Sequence, residues 1–148
     1  MRRAMVHFDL KAVSRIALGA LLVILCVYAS VAALTYLAFA FANLFPRGWW
    51  SDHATLIFFV DEVVAYLPFV LILGVVFPKV FRTRPVARAL ACVLLGLVIS
   101  NASLLLESPA YLRLAIGEIL FSNGAFLLGV PITIHLLSRS RLRAVGMR

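Results

Sequence analysis

Charged residues are scarce in this sequence, and acidic residues are the scarcest of them. Only 14% of the 148 residues are charged, with six Asp and Glu against 14 Lys and Arg, whereas 64% are hydrophobic. Ordinary soluble domains are about one quarter charged and about half apolar. The composition therefore excludes an ordinary soluble domain and predicts a membrane protein.

The sequence also lacks the short motifs of metal sites, cofactor sites and common membrane enzymes. Its two cysteines, Cys26 and Cys92, both fall in apolar stretches, so neither a disulfide framework nor a CxxC zinc site is expected. No HExxH, GxSxG or phosphate-loop motif occurs. We therefore expect no cofactor, no bound metal and no enzymatic activity.

Four long apolar stretches occupy most of the chain. Each is long enough, or nearly so, to cross a hydrocarbon core of roughly 30 Å. The sequence predicts an all-α fold, a four-span transmembrane helical bundle forming one domain over residues 1–148, in which short connections make consecutive helices antiparallel neighbours. The predicted spans are 16–43, 56–81, 86–106 and 114–137, followed by a basic tail at 138–148.

The basic residues predict the orientation of the bundle. Twelve of the 14 lie before the first span, around the second connection or in the tail, and basic residues beside a span are retained in the cytoplasm. Both termini should therefore be cytoplasmic. The excess of positive charge is expected to contact anionic lipid and not nucleic acid. The residues assigned to topology and anionic lipid are Arg82, Arg84, Arg88, Arg139, Arg141 and Arg143.

Arginine outnumbers lysine 12 to 2, which is typical of a GC-rich bacterial genome and favours a bacterial inner membrane.

Trp49 and Trp50, in the first outer connection, are expected to anchor the bundle at the lipid–water interface. Small residues at helical spacing predict packing faces on the third and fourth spans. These residues are Cys92, Gly96, Ser100, Ser103, Ala125 and Gly129.

Ionisable and amide residues cluster a few residues inside the predicted outer ends of three spans. The candidates for a polar or ion-binding layer are Asp61, Glu62, Asn101, Glu118, Ser122 and Asn123. Charged groups at this depth should face the bundle interior or water. Because adjacent helix residues point about 100° apart, at most one of Asp61 and Glu62 is expected to face the centre. The alternative is that the carboxylates simply lie at the level of the lipid headgroups.

Two functions fit these features. The favoured one is a multi-pass membrane protein that acts by contact, as an accessory subunit of a membrane complex or as an immunity-type protein that binds another membrane protein. The alternative is a small proton- or cation-coupled transporter or channel that uses the same carboxylates. The alternative requires self-association, because a single four-span bundle rarely encloses a pathway.

Overall fold

The protein folds into four α-helices joined by short connections. In a computed structural model, residues 10–44, 47–102 and 109–146 are described. The helices are α1 (Leu10–Leu44), α2 (Arg47–Val80), α3 (Pro85–Ser100) and α4 (Pro109–Gly146), and the described residues contain no strand. The predicted all-α class and the number of helices are confirmed.

Three of the helices contain segments that are long and apolar enough to cross a membrane. These segments are Leu10–Leu44, Phe59–Val80 and Ile119–Ser140, and α3 is a shorter apolar helix. Helices α1, α2 and α4 are longer than the predicted spans. In particular, α4 continues to Gly146 through most of the predicted tail, and α2 starts at Arg47 with a kink at His53, where φ is −123° and ψ is 15°.

Helix α3 ends before the limit predicted for the third span. It stops at Ser100, whereas the apolar pattern predicted a helix to Leu106. The backbone N–H and the side-chain Nδ2 of Asn101 both donate to the Leu97 carbonyl, at 2.9 and 2.8 Å. With 16 residues, α3 is about 24 Å long, shorter than a hydrocarbon core of roughly 30 Å.

The helices are arranged around the bundle in the order α1, α2, α4, α3. Helices α1 and α3 pack closely together, as do α2 and α4, whereas α2 and α3 touch only weakly across a diagonal. The prediction that all consecutive helices are neighbours is therefore wrong for α2 and α3. Residues 81–84 connect them, and Arg84 takes up a left-handed conformation (φ 50°) immediately before Pro85.

Glycines set the register of the two closely packed pairs. A Cβ added to Gly96 of α3 would lie 2.7 Å from the Val23 Cβ of α1, and one added to Gly129 of α4 would lie 2.6 Å from the Val70 Cγ1 of α2. Such close approach of helix backbones is typical of membrane bundles. Gly74 likewise faces Thr133, four residues further along both α2 and α4, so these two helices run parallel.

Large side chains fill the interior of the bundle. Tyr66, Phe77, Phe81 and Phe126 are buried, each with no more than 2% of its surface exposed. Tyr66 and Phe126 meet edge to face with ring centroids 6.0 Å apart, and Phe77 packs on Phe81 at 5.9 Å. The outer surfaces of the helices instead carry exposed Leu, Ile, Val and Phe side chains, as expected for contact with lipid.

Candidate functional site

Two adjacent carboxylates on α2 are buried inside the bundle. Asp61 is 5% exposed and Glu62 is fully buried. Helix α2 packs against both α1 and α4, so two positions about 100° apart on it are both covered. That at most one of the two carboxylates faces the centre of the bundle stays a prediction.

The burial of Asp61 is energetically unfavourable as the structure stands. Its Oδ1 atom is buried and has no hydrogen-bond partner among the described residues. An unsatisfied buried polar atom costs about 1–3 kcal/mol, and more when it carries charge. Ionisable residues retained inside membrane segments at such a cost commonly have a functional role.

Amide side chains from α3 and α4 meet near the same level of the bundle. The Asn101 Nδ2 donates to the Asn123 Oδ1 at 3.0 Å. Phe121, two residues before Asn123, lies 6.4 Å from both the Phe59 and Tyr66 rings, measured between centroids. This contact places Asn123 at most about one helical turn from the level of the α2 carboxylates.

This polar layer lies near one end of the apolar segments. Asp61 is 19 residues before Val80, which corresponds to about 28 Å along α2, and Asn101 directly follows the end of α3. Neighbouring helices cover Asp61 and Glu62, whereas carboxylates among lipid headgroups would be exposed. The side chain of Glu118 is outside the described part of the structure. Within that part, no group of three or more His, Cys, Asp or Glu residues could hold a metal ion.

A groove of about 520 Å³ opens between α2 and α4 on the outside of the bundle. Glu62 lies at one end, and the lining continues along α4 from Leu120 to Ile132, about 18 Å along the helix. The remaining lining is almost wholly apolar. It consists of Val63, Tyr66, Leu67, Val70, Phe121, Gly124, Ala125, Leu128 and Gly129.

Glycines on the outer side of α4 differ from those inside the bundle. Gly19, Gly74, Gly96 and Gly129 each face a side chain of a neighbouring helix so closely that an added Cβ would clash. An added Cβ on Gly117 or Gly124 would meet no described heavy atom within 4 Å. Packing within this chain therefore explains the first four glycines and does not explain Gly117 and Gly124.

The remaining predicted residues are distributed over the bundle. Cys92 is fully buried beside Gly19, Ser100 is half-buried, and Ala125 lines the groove. The Ser122 hydroxyl donates to the Ile119 carbonyl of its own helix at 3.1 Å, so it contributes no bond between helices. Ser103 lies outside the described residues, as do the side chains of Trp49, Trp50, Arg141 and Arg143.

Basic side chains meet at the opposite end of the bundle. Arg82 and Arg88, two of the predicted lipid-contacting residues, line a cavity together with Arg15 and Lys79. Arg15 and Lys79 are among the basic residues that predict the orientation of the bundle, but they are not among those that the sequence assigns to lipid. Arg84 and Arg139 are exposed elsewhere. This cavity forms because α1 approaches the α2–α3 connection. That approach depends on the order of the helices around the bundle, so no local sequence motif predicts it.

The fold and these features define a helical-bundle protein whose helices are suited to a membrane. Comparison of the chain with protein-family models, with curated proteins and with solved structures finds no match.

Proposed function

We propose that this protein is a multi-pass membrane protein that acts by binding a transmembrane helix of another membrane protein, as an accessory subunit or an immunity-type partner. The observation that carries the proposal is the groove between α2 and α4, with Gly124 open on its wall. A glycine in a helix is less favourable than alanine by about 1 kcal/mol in water, and contact with another helix compensates for this cost.

The size of the groove suits a row of side chains. Its volume of about 520 Å³ extends over about 18 Å, which accommodates one ridge of side chains from a neighbouring helix. The bundle interior is already filled by Tyr66 and Phe126, so the space available for a contact lies on the outside. We propose binding and not catalysis as the activity, in a bacterial inner membrane with both termini in the cytoplasm.

The concave shape of the groove favours a partner different from this chain. Two copies in one membrane have the same orientation, so a two-fold contact would set this groove against the same groove of the second copy. Two concave surfaces leave space between them, whereas a ridge of side chains on a helix fills a groove. The partner is therefore expected to present a helix ridge to the groove.

Purification with a matched pair of variants tests this function. The protein is tagged, purified in mild detergent from cells in which it naturally occurs, and the native mass of the particle is determined. Gly124→Leu fills the groove, whereas Ala29→Leu adds the same side chain at an exposed position of α1. We expect a stoichiometric heterologous partner with the wild type and Ala29→Leu, and at least about tenfold less of it with Gly124→Leu. A clean monomer or homo-oligomer of the wild type would contradict the proposal.

A second candidate function is proton or cation transport by an oligomer. It is supported by the burial of Asp61, whose Oδ1 has no hydrogen-bond partner within the described part of the chain. The aromatic side chains that fill the interior require such a pathway to run between subunits. This candidate predicts that Asp61→Asn and Glu62→Gln abolish flux in proteoliposomes while the protein still folds. The contact function predicts no flux in the wild type.

A further inference from the structure

A cavity at the inner end of the bundle gathers four cationic side chains from separate segments. It has a volume of about 430 Å³ and is lined by Arg15 of α1, Lys79 and Val80 of α2, Arg82 and Thr83 of the connection, and Arg88 of α3. No acidic side chain is among the described residues that line it. Four like charges around one cavity repel one another, and a bound anion removes that repulsion.

We propose that this cavity binds the phosphate headgroup of an anionic phospholipid. Arginine presents two parallel N–H donors that match two phosphate oxygens, and three of the four cations here are arginines. Thr83, whose hydroxyl is a neutral donor, lines the same cavity. Basic pockets between membrane helices on the cytoplasmic side are a known form of lipid recognition.

The surroundings of the cavity favour a lipid over a soluble phosphate compound. Leu18 lies one turn deeper than Arg15 on α1 and is 66% exposed, and Val75 lies one turn deeper than Lys79 on α2 and is 39% exposed. These apolar side chains provide a surface for acyl chains directly below the basic residues. A headgroup bound in the cavity thus has its tails alongside the apolar part of the bundle.

Two double variants with equal loss of charge separate a defined site from general attraction to negative lipid. Arg82→Gln/Arg88→Gln removes two residues that line the cavity, whereas Arg84→Gln/Arg139→Gln removes two exposed arginines that do not. Each purified protein is titrated with phosphatidic acid in an uncharged detergent, and bound lipid is counted by native mass spectrometry. Phosphatidylcholine and inorganic phosphate serve as the other two probes.

We expect phosphatidic acid to bind the wild type and the Arg84/Arg139 variant, and to bind the Arg82/Arg88 variant at least about tenfold more weakly than either. Equal losses in the two double variants would overturn the proposal, since attraction would then be diffuse. Binding of inorganic phosphate as tight as that of phosphatidic acid would identify a soluble phosphate compound as the ligand and would overturn the lipid assignment. If Arg82→Gln/Arg88→Gln does not fold, Arg15→Gln/Lys79→Gln makes the same test from α1 and α2.

Discussion

Replacing Gly96 with alanine should weaken the packing of α1 against α3, whereas the same replacement at Gly124 should be tolerated. The new Cβ at position 96 would lie 2.7 Å from the Val23 Cβ and 3.0 Å from the Ala20 carbonyl oxygen. Carbon atoms in contact prefer separations of about 3.5–4.0 Å. Val23 is fully buried and branched at Cβ, and the Ala20 oxygen belongs to the backbone, so neither can move aside without shifting α1.

The magnitude follows from two opposing effects. Overpacking of a tight contact costs about 1–3 kcal/mol, while the higher helix propensity of alanine returns at most about 1 kcal/mol. Gly96→Ala should therefore lower the free energy of unfolding by between almost zero and about 3 kcal/mol, with about 1–2 kcal/mol as the middle of that range. At Gly124 the added Cβ meets no described heavy atom within 4 Å, so only the favourable effect of up to about 1 kcal/mol applies.

The difference in stability between the two variants is measured by unfolding each of them in mixed micelles with increasing fractions of sodium dodecyl sulfate. Gly96→Ala should unfold at a lower fraction than the wild type, and Gly124→Ala at an equal or higher one. Equal behaviour of the two variants would refute the assigned register of α1 against α3 and the difference between internal and outward-facing glycines.

Three further predictions concern the interior of the bundle. In a double-mutant cycle with Asn101→Leu and Asn123→Leu, the coupling energy for unfolding should be about 0.6–1.7 kcal/mol because their side chains hydrogen-bond; additive effects would exclude that bond. Asp61→Asn should raise the thermal unfolding temperature in detergent at neutral pH, because it removes a buried charge; a clear decrease would indicate a partner outside the described residues. Phe126→Ala should destabilise the bundle by about 3–5 kcal/mol in the micelle assay, while Phe39→Ala, 70% exposed, should cost much less; similar losses would contradict the assigned core.

The sequence predicts the helices well because hydropathy alone determines which segments can enter a bilayer. The predicted spans each coincide with one observed helix, but their limits differ: α2 begins nine residues before the predicted span and α4 continues nine residues beyond it, whereas α3 ends six residues short. Hydropathy marks the apolar part of a helix and carries no information on polar residues that extend the helix beyond that part.

The neighbours of each helix were less predictable. Short connections favour contact between consecutive helices, yet the 81–84 connection leads across a diagonal and brings α1 beside α3. Gly96 pairs with Val23, and Gly129 with Val70, because the space at each glycine accommodates the valine of the neighbouring helix. The sequence of one helix alone does not predict which residue of another helix it will contact. For the same reason, the sequence identified Glu62 as a candidate but not the groove that it shares with Leu128.

The central claim, that the groove between α2 and α4 holds a helix of another protein, is tested most directly by photo-crosslinking in intact membranes. A photoreactive residue is placed at Leu120 or Leu128, which line the groove and are each 67% exposed, and at Leu25 of α1, which is 58% exposed and does not line it. We predict crosslinks from both groove positions to one heterologous membrane protein, and crosslinks from Leu25 to lipid alone. Crosslinks from the groove positions only to lipid, or to another copy of this chain, would contradict the account.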